Sequence, residues 1–219
     1  MIRLVNVSKR FFARDVETVV ADQVNLTIPA GVSVALLGRN GAGKSSLLKM
    51  IAGTMRPTGG RIEVSGRVSW PVGFAGSFHG DLTGLQNTRF VARIYGVDTG
   101  QLVDFVHEFS ELGAHFRLPV RGYSQGMRAR LGFALSMGIA FDTYLIDEVT
   151  AVGDAAFRAK CEAALAERLE GRSAVVVSHS FGFLRKVCGA GVVIEDGRAG
   201  WYDDLDAAIT EHRRMLEPA

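Results

Sequence analysis

The chain has 219 residues, 47% apolar and 22% charged, enough for one domain, or one domain with an inserted lobe, around a full core. A formal net charge of +2, with no basic tail or stripe, argues against a nucleic-acid partner. No apolar run reaches the roughly 18 residues that cross a bilayer, and Met1-Ile2-Arg3-Leu4-Val5 reads as a first strand rather than a signal-peptide core. Short β-type runs open the chain, Ile2 to Val7 and then Val19 to Ile28, the second partly alternating through Val20, Val24, Leu26 and Ile28. A buried strand, Val32 to Leu37, leads into a Gly-rich turn and a helix-like run from Ser46 to Ala52. Arg56-Pro57-Thr58-Gly59-Gly60 makes a turn, and Arg61 to Val68 returns as strand. From about Ser77 to Ala140 the apolar spacing becomes helical, through Leu82, Leu85, Phe90, Val91 and Ile94, then Leu102, Phe105, Val106, Phe109 and Leu112. This predicts a helical lobe at 77–140 inserted into a core made of 1–76 and 141–219. A strand at Thr143 to Ile146, a helix at Ala155 to Leu169, a buried strand at Ala174 to Val177 and a hairpin at Val192 to Trp201 complete the order. Strands alternating with helices predict an α/β fold with a mostly parallel sheet covered on both faces. Cys161 and Cys188 have no metal spacing and read as buried, reduced thiols, as expected in the cytoplasm.

The turn after the third strand reads Gly38-Arg39-Asn40-Gly41-Ala42-Gly43-Lys44-Ser45, followed by Ser46. It fills every fixed position of the phosphate-binding P-loop and has the strand before and helix after that the motif needs. A triphosphate needs its charge met without an apolar pocket, and backbone N–H groups aimed from a Gly-rich turn at a helix N-terminus do this. Lys44 would reach the β- and γ-phosphates, and the Ser45 hydroxyl would ligate Mg²⁺. These residues predict a bound nucleotide, with ATP and Mg²⁺ as the implied pair.

Two later motifs narrow the class. Thr143-Tyr144-Leu145-Ile146-Asp147-Glu148 is an apolar strand ending in two carboxylates, the Walker B pattern. Asp147 would hold Mg²⁺ and Glu148 would polarise the attacking water, although such a pair also suits a solvated turn. Tyr123-Ser124-Gln125-Gly126-Met127-Arg128 precedes an apolar helix; alone it suits a helix cap, and after a P-loop it has a second meaning. There the chain resembles the ATP-binding-cassette (ABC) family, whose signature usually reads Leu-Ser-Gly-Gly-Gln. Ser124 and Gly126 keep the positions that meet the γ-phosphate, while Tyr123, Gln125 and Met127 depart from the usual wording.

The resemblance implies further roles. Two cassettes sandwich two ATP molecules, each signature sealing its partner's P-loop. His179, in Val175-Val176-Val177-Ser178-His179, matches the switch histidine, and Asp154, in Ala151-Val152-Gly153-Asp154, matches the D-loop. Phe11, or its neighbour Phe12, takes the place of the aromatic that stacks on adenine. The implied fold is a P-loop nucleotide-binding domain with a mostly parallel core sheet, an N-terminal antiparallel β part and the helical lobe carrying the signature. The family also places a Gln between P-loop and helical lobe; here none occurs from Ser46 through Leu85, and His79 is the residue considered as its substitute.

The stretch Trp70-Pro71-Val72-Gly73, then Leu82-Thr83-Gly84 with Asn87, Phe90-Val91-Ala92-Arg93, the signature through Phe133 and Asp147 to Asp154 together resemble the ATPase subunit of bacterial capsular-polysaccharide exporters over nearly the whole chain. The expectation is a translocase ATPase on the cytoplasmic face of the bacterial inner membrane. A homodimer of cassettes would pair with an integral-membrane permease in a 2+2 complex whose cargo is a lipid-linked polysaccharide. Trp70, Phe74 and Phe78 are expected to line a permease-docking groove or else to pack in the core. Related cassettes export O-antigen or teichoic acid, often with a C-terminal extension, and an end at Ala219 favours the capsule type. A soluble ABC ATPase of DNA repair or translation is disfavoured by the lack of coiled-coil insertion, tandem cassette and basic surface.

Overall fold

The structure is a computed structural model describing residues 1–13, 16–72, 78–147 and 154–216. The first strands are β1 (Ile2–Ala13) and β2 (Val16–Ile28), a long antiparallel hairpin, followed by β3 (Ser33–Gly38), α1 (Lys44–Ile51), β4 (Gly59–Val64) and β5 (Val68–Val72). Then come α2 (Gly84–Tyr95), α3 (Thr99–Ser110), two 3₁₀ turns (Gly113–Arg117 and Val120–Gly122) and α4 (Gln125–Gly138). The rest is β6 (Thr143–Asp147), α5 (Ala155–Leu169), β7 (Ser173–Val177), α6 (Phe181–Val187), β8 (Ala190–Glu195), β9 (Arg198–Tyr202) and α7 (Leu205–Leu216).

Two compact units divide these elements. The first comprises Met1–Pro71, Phe141–Glu148 and Leu169–Ala219, and the second Val72–Ala140 and Val149–Arg168. The helical lobe, expected at 77–140, also takes in most of α5, whose Phe157 lies edge-on to Phe109 of α3 at 6.0 Å.

In the first unit, β2-β1-β4 form an antiparallel sheet, and β5-β6-β7-β3-β8-β9 form the main sheet. The pairs β6/β7, β7/β3 and β3/β8 are parallel, while β8/β9 is an antiparallel hairpin. Asp196 and Gly197 turn that hairpin at φ 45° and 75°, the positive-φ pair that a tight two-residue turn requires. Strand alternation sends Val34 and Leu36 of β3, Val175 and Val177 of β7, and Val192 and Ile194 of β8 into one apolar cluster with Leu47, Leu48 and Ile51 of α1 and the inner residues of β1 and β2. On α7, Leu205, Ala208 and Ile209 are buried. A Cβ on Gly191 would come 2.3 Å from the Ala208 Cβ, so α7 lies directly on β8.

The segment expected as one strand, Arg61 to Val68, is two, in different sheets. Gly66 (φ 85°) breaks it, and the Asp142 carboxylate accepts the Arg67 N–H at 2.7 Å while the Asp142 N–H donates to the Arg67 carbonyl at 2.9 Å. The Asp142 Oδ2 would sit 2.6 Å from any Cβ at position 66.

In the second unit, α2 begins with a capping box: Thr83 accepts from the Gln86 N–H and Gln86 accepts from the Thr83 N–H. Such a cap contributes about 1 kcal/mol. Asp98 caps α3 and Ser124 caps α4. Gly138 of α4 would meet Leu102 at 2.4 Å if it carried a Cβ, which sets how closely α3 and α4 pack.

Candidate active site

The P-loop residues connect β3 to α1 in the first unit. Gly43 (φ 100°) is the residue before the first turn of α1, and a Cβ there would come 2.3 Å from Cγ1 of Val20 on β2. Only glycine satisfies both the backbone angle and that contact. Lys44 folds back along the loop, its Nζ donating to the carbonyls of Gly38 at 2.8 Å and Arg39 at 2.9 Å. Ser45 is exposed in the first turn of α1, and Ser46 is half-buried beside it. Arg39 and Asn40 are exposed, and the Arg39 guanidinium donates to the Met215 carbonyl near the end of α7 at 3.4 Å.

Because β6, β7 and β3 are adjacent and parallel, their C-terminal ends share one edge of the sheet, where ligands gather in open α/β folds. Asp147 ends β6 in register with Val177, and His179 lies exposed two residues beyond that point. The sheet thus brings the P-loop, Asp147 and His179 to the same edge. Glu148 lies outside the described residues, as do Phe74 and 151–153 of the D-loop. His212 of α7 is a neighbour that the sequence reading missed. Burial lowers its pKa most, with the positive charges of Lys44 and then His179 adding to the effect, and its ring meets Phe181 edge-on at 6.4 Å. Phe11 lies on β1 opposite Thr18 with the Lys9 ammonium 4.8 Å from its ring centre, whereas Phe12 is 71% exposed.

Among the described residues no group of three or more His, Cys, Asp or Glu side chains could hold a metal. Ser45 at the start of α1 carries a hydroxyl and Asp147 at the end of β6 a carboxylate, hard oxygen donors of the kind that a magnesium ion takes.

The second unit holds Ser124, Gly126 and Asp154. The Ser124 hydroxyl accepts the Met127 N–H at 3.2 Å, which fixes the N-terminus of α4. Asp154 caps α5: its carboxylate accepts the Phe157 N–H at 2.9 Å, and that bond is the first cause of its lowered pKa. Arg130 reaches it from α4 at 3.1 Å and reaches Glu111 at 3.0 Å. Lys160 also binds Glu111, at 2.7 Å, and these two cations hold its carboxyl below the usual range, Lys160 first. His79, the proposed substitute for the absent Gln, is exposed; its backbone is gripped by Asn87, whose Oδ1 accepts the His79 N–H at 3.0 Å and whose Nδ2 donates to the His79 carbonyl at 3.2 Å.

The ABC transporter family model matches residues 21–151, more than half of the chain. The chain belongs to the ABC transporter family. The polysialic acid transport ATP-binding protein KpsT of Escherichia coli is 45% identical to this cassette over 97% of the chain and 96% of its own length. The capsule polysaccharide export ATP-binding protein CtrD of Neisseria meningitidis serogroup B is 45% identical over 98% of the chain and 100% of its own length. Among solved structures, the ATP-binding cassette MJ0796, in a dimeric post-hydrolysis state with ADP and Pi, superposes with a TM-score of 0.79 at 22% identity, covering 94% of this chain and 99% of that one. This likeness confirms the cassette fold.

As a cassette of this family the chain binds nucleotide. Asn87, Arg130 and His212 are what sequence reasoning did not assign. Arg130 and Asn87 are ordinary polar residues in helical runs, and no local signal separates them from solvated ones. The sequence reading closes on the hairpin and omits α7, although Leu205, Ala208 and Ile209 have helical spacing after Asp204, whose carboxylate accepts the Ala207 N–H at 2.8 Å.

Proposed function

We propose that this chain is the ATP-binding and hydrolysing subunit of an ABC exporter that moves capsular polysaccharide across the cytoplasmic membrane. The observation that carries the reading is the 45% identity to polysaccharide-export subunits, sustained from end to end of both chains. The arrangement at the sheet edge supports the chemistry. Lys44 and the amides from Gly38 to Ser46 would bind the phosphates, with Ser45 and Asp147 as the protein oxygens for Mg²⁺. When bound, the ion would screen the β- and γ-phosphate charge. Glu148 would take the proton of the attacking water, and His179 would meet the γ-phosphate. Phe11 would stack on adenine. Ser124, Gly126 and Asp154 would act on the nucleotide of a second copy, so the working unit is a homodimer.

No helix among the described residues is long and apolar enough to cross a membrane. The reading includes, from its likeness to transport and export ATP-binding proteins, an integral-membrane permease, two copies with two cassettes, which holds the dimer at the cytoplasmic face of the inner membrane and carries the lipid-linked glycan. ATP binding closes the cassette pair, hydrolysis reopens it, and the permease converts that motion into export.

The test replaces Glu148 by Gln in the native host and locates the surface glycan by immunolabelling intact and opened cells. Loss of surface polysaccharide with accumulation inside is expected, and sugar analysis then names the cargo. Unchanged surface glycan with ATPase activity lost would overturn the polysaccharide assignment.

A further inference from the structure

Tyr123 stands where the family usually has Leu, and its extra atom is used. The side chain is 4% exposed, and its hydroxyl donates to the His115 carbonyl at 2.6 Å. On the other side it faces Gly84, the first residue of α2, where a Cβ would lie 2.6 Å from the hydroxyl. One oxygen thereby joins the start of α2, the first 3₁₀ turn and the residue preceding Ser124.

The backbone around it is stitched in the same sense. Val120 N–H donates to the Leu82 carbonyl at 2.9 Å, Arg121 N–H to the Gly80 carbonyl at 2.8 Å, and Arg121 pairs with Asp81 at 2.9 Å. Arg128, on the first turn of α4, returns to the Arg121 carbonyl at 3.2 Å. The loop Gly80–Thr83, which follows His79, and the signature therefore form one seam, of which the Tyr123 hydroxyl is the buried member.

We propose that the Tyr123 hydroxyl is a latch that fixes Ser124 and Gly126 to the loop preceding α2, making Tyr123 a positioning residue for the γ-phosphate of the partner cassette's ATP. The latch rests on the reading of Ser124 and Gly126 as acting across a cassette dimer. A leucine would fill the space but leave the His115 carbonyl without this partner and lose the oxygen that lies against Gly84, freeing the signature from the loop. Movement of the loop is thus passed to the signature.

The experiment compares wild type with Tyr123→Phe, which keeps the ring and removes the oxygen, in the purified full chain. Steady-state ATP hydrolysis gives kcat and KM, and light scattering with ATP in a Glu148→Gln background gives the ATP concentration that drives dimer formation. The latch predicts KM within about twofold of wild type, kcat lower on the order of tenfold, and a dimerisation midpoint raised by a similar factor. Should Tyr123→Phe fail to fold, Gly84→Ala, which pushes on the same hydroxyl without removing it, is expected to show the same split. Wild-type kcat and dimerisation accompanied by a lower melting temperature would overturn the proposal, because the hydroxyl would then serve the fold alone. A wild type that hydrolyses no ATP would remove the ATPase reading and the latch together, whereas an active wild type matched by its variants removes only the latch.

Discussion

The Arg130 guanidinium donates to the Asp154 carboxylate at 3.1 Å while its Cζ lies 4.1 Å from the centre of the Phe157 ring. One side chain from the signature helix thus grips both the cap of α5 and the ring that follows it. Because a planar fork serves Glu111 and Asp154 together, an ammonium cannot replace it. Arg130→Ala and Arg130→Lys are both expected to lower the melting temperature, by about 3 °C, and to slow ATP turnover, since Asp154 loses its tether. Thermal melts of the two variants check this; a lysine variant indistinguishable from wild type would show that charge alone is sufficient.

Lys44 lies against its own loop, its ammonium donating to the Gly38 and Arg39 carbonyls. The bond to Gly38 is part-buried, but the bond to Arg39 is exposed, where water can replace the ammonium. Lys44→Ala is therefore expected to leave the melting temperature within about 2 °C while ATP turnover falls by about a hundredfold or more. Hydrolysis unchanged in the purified chain would remove Lys44 from the phosphate site.

His212 carries a pH dependence with a definite sign. Burial first, then Lys44 and His179, lower its pKa below the ordinary 6.5. As pH falls through that ordinary value, the unfolded chain binds a proton that the folded chain refuses, so this group's contribution to stability falls with pH. His212→Gln should therefore melt with a shallower decline than wild type between about pH 7.5 and about pH 5.5. Parallel melting curves for the two proteins would exclude His212 as a source of the dependence.

Both thiols are buried, and burial pushes Cys161 and Cys188 up to about 12. A thiol protonated throughout the neutral range is a poor nucleophile. A chromogenic disulfide reagent at about pH 8 should leave the folded chain unmodified and titrate both cysteines in denaturant. Rapid reaction of either one in the native chain would contradict this.

Residue chemistry that is local in the chain was legible at once. A phosphate-binding loop works through consecutive amides, so a motif such as Gly38 to Ser46 must be contiguous, and its strand and helix flanks appear as β3 and α1. The apolar run ending at Asp147 and the strand before His179 were legible for the same reason, because parallel buried strands are short and apolar throughout. The alternation of strands and helices gave the fold class, though not the order that sets β3 between β7 and β8.

What the tertiary structure decided lies between residues far apart in the chain. The sequence suggested one strand from Arg61 to Val68; the Asp142 carboxylate, 75 residues from Arg67, divides it, and no window around Gly66 carries that information. Tyr123 could be read as a departure from the family's Leu, but the meaning of its oxygen depends on the His115 carbonyl and on a glycine at 84. Arg130 has no local mark of its role, which Glu111 and Asp154 confer from either side along the chain. Motifs that present backbone to a ligand are written in consecutive residues; supports that hold those motifs in place are made by contacts across the fold, and only folding reveals them.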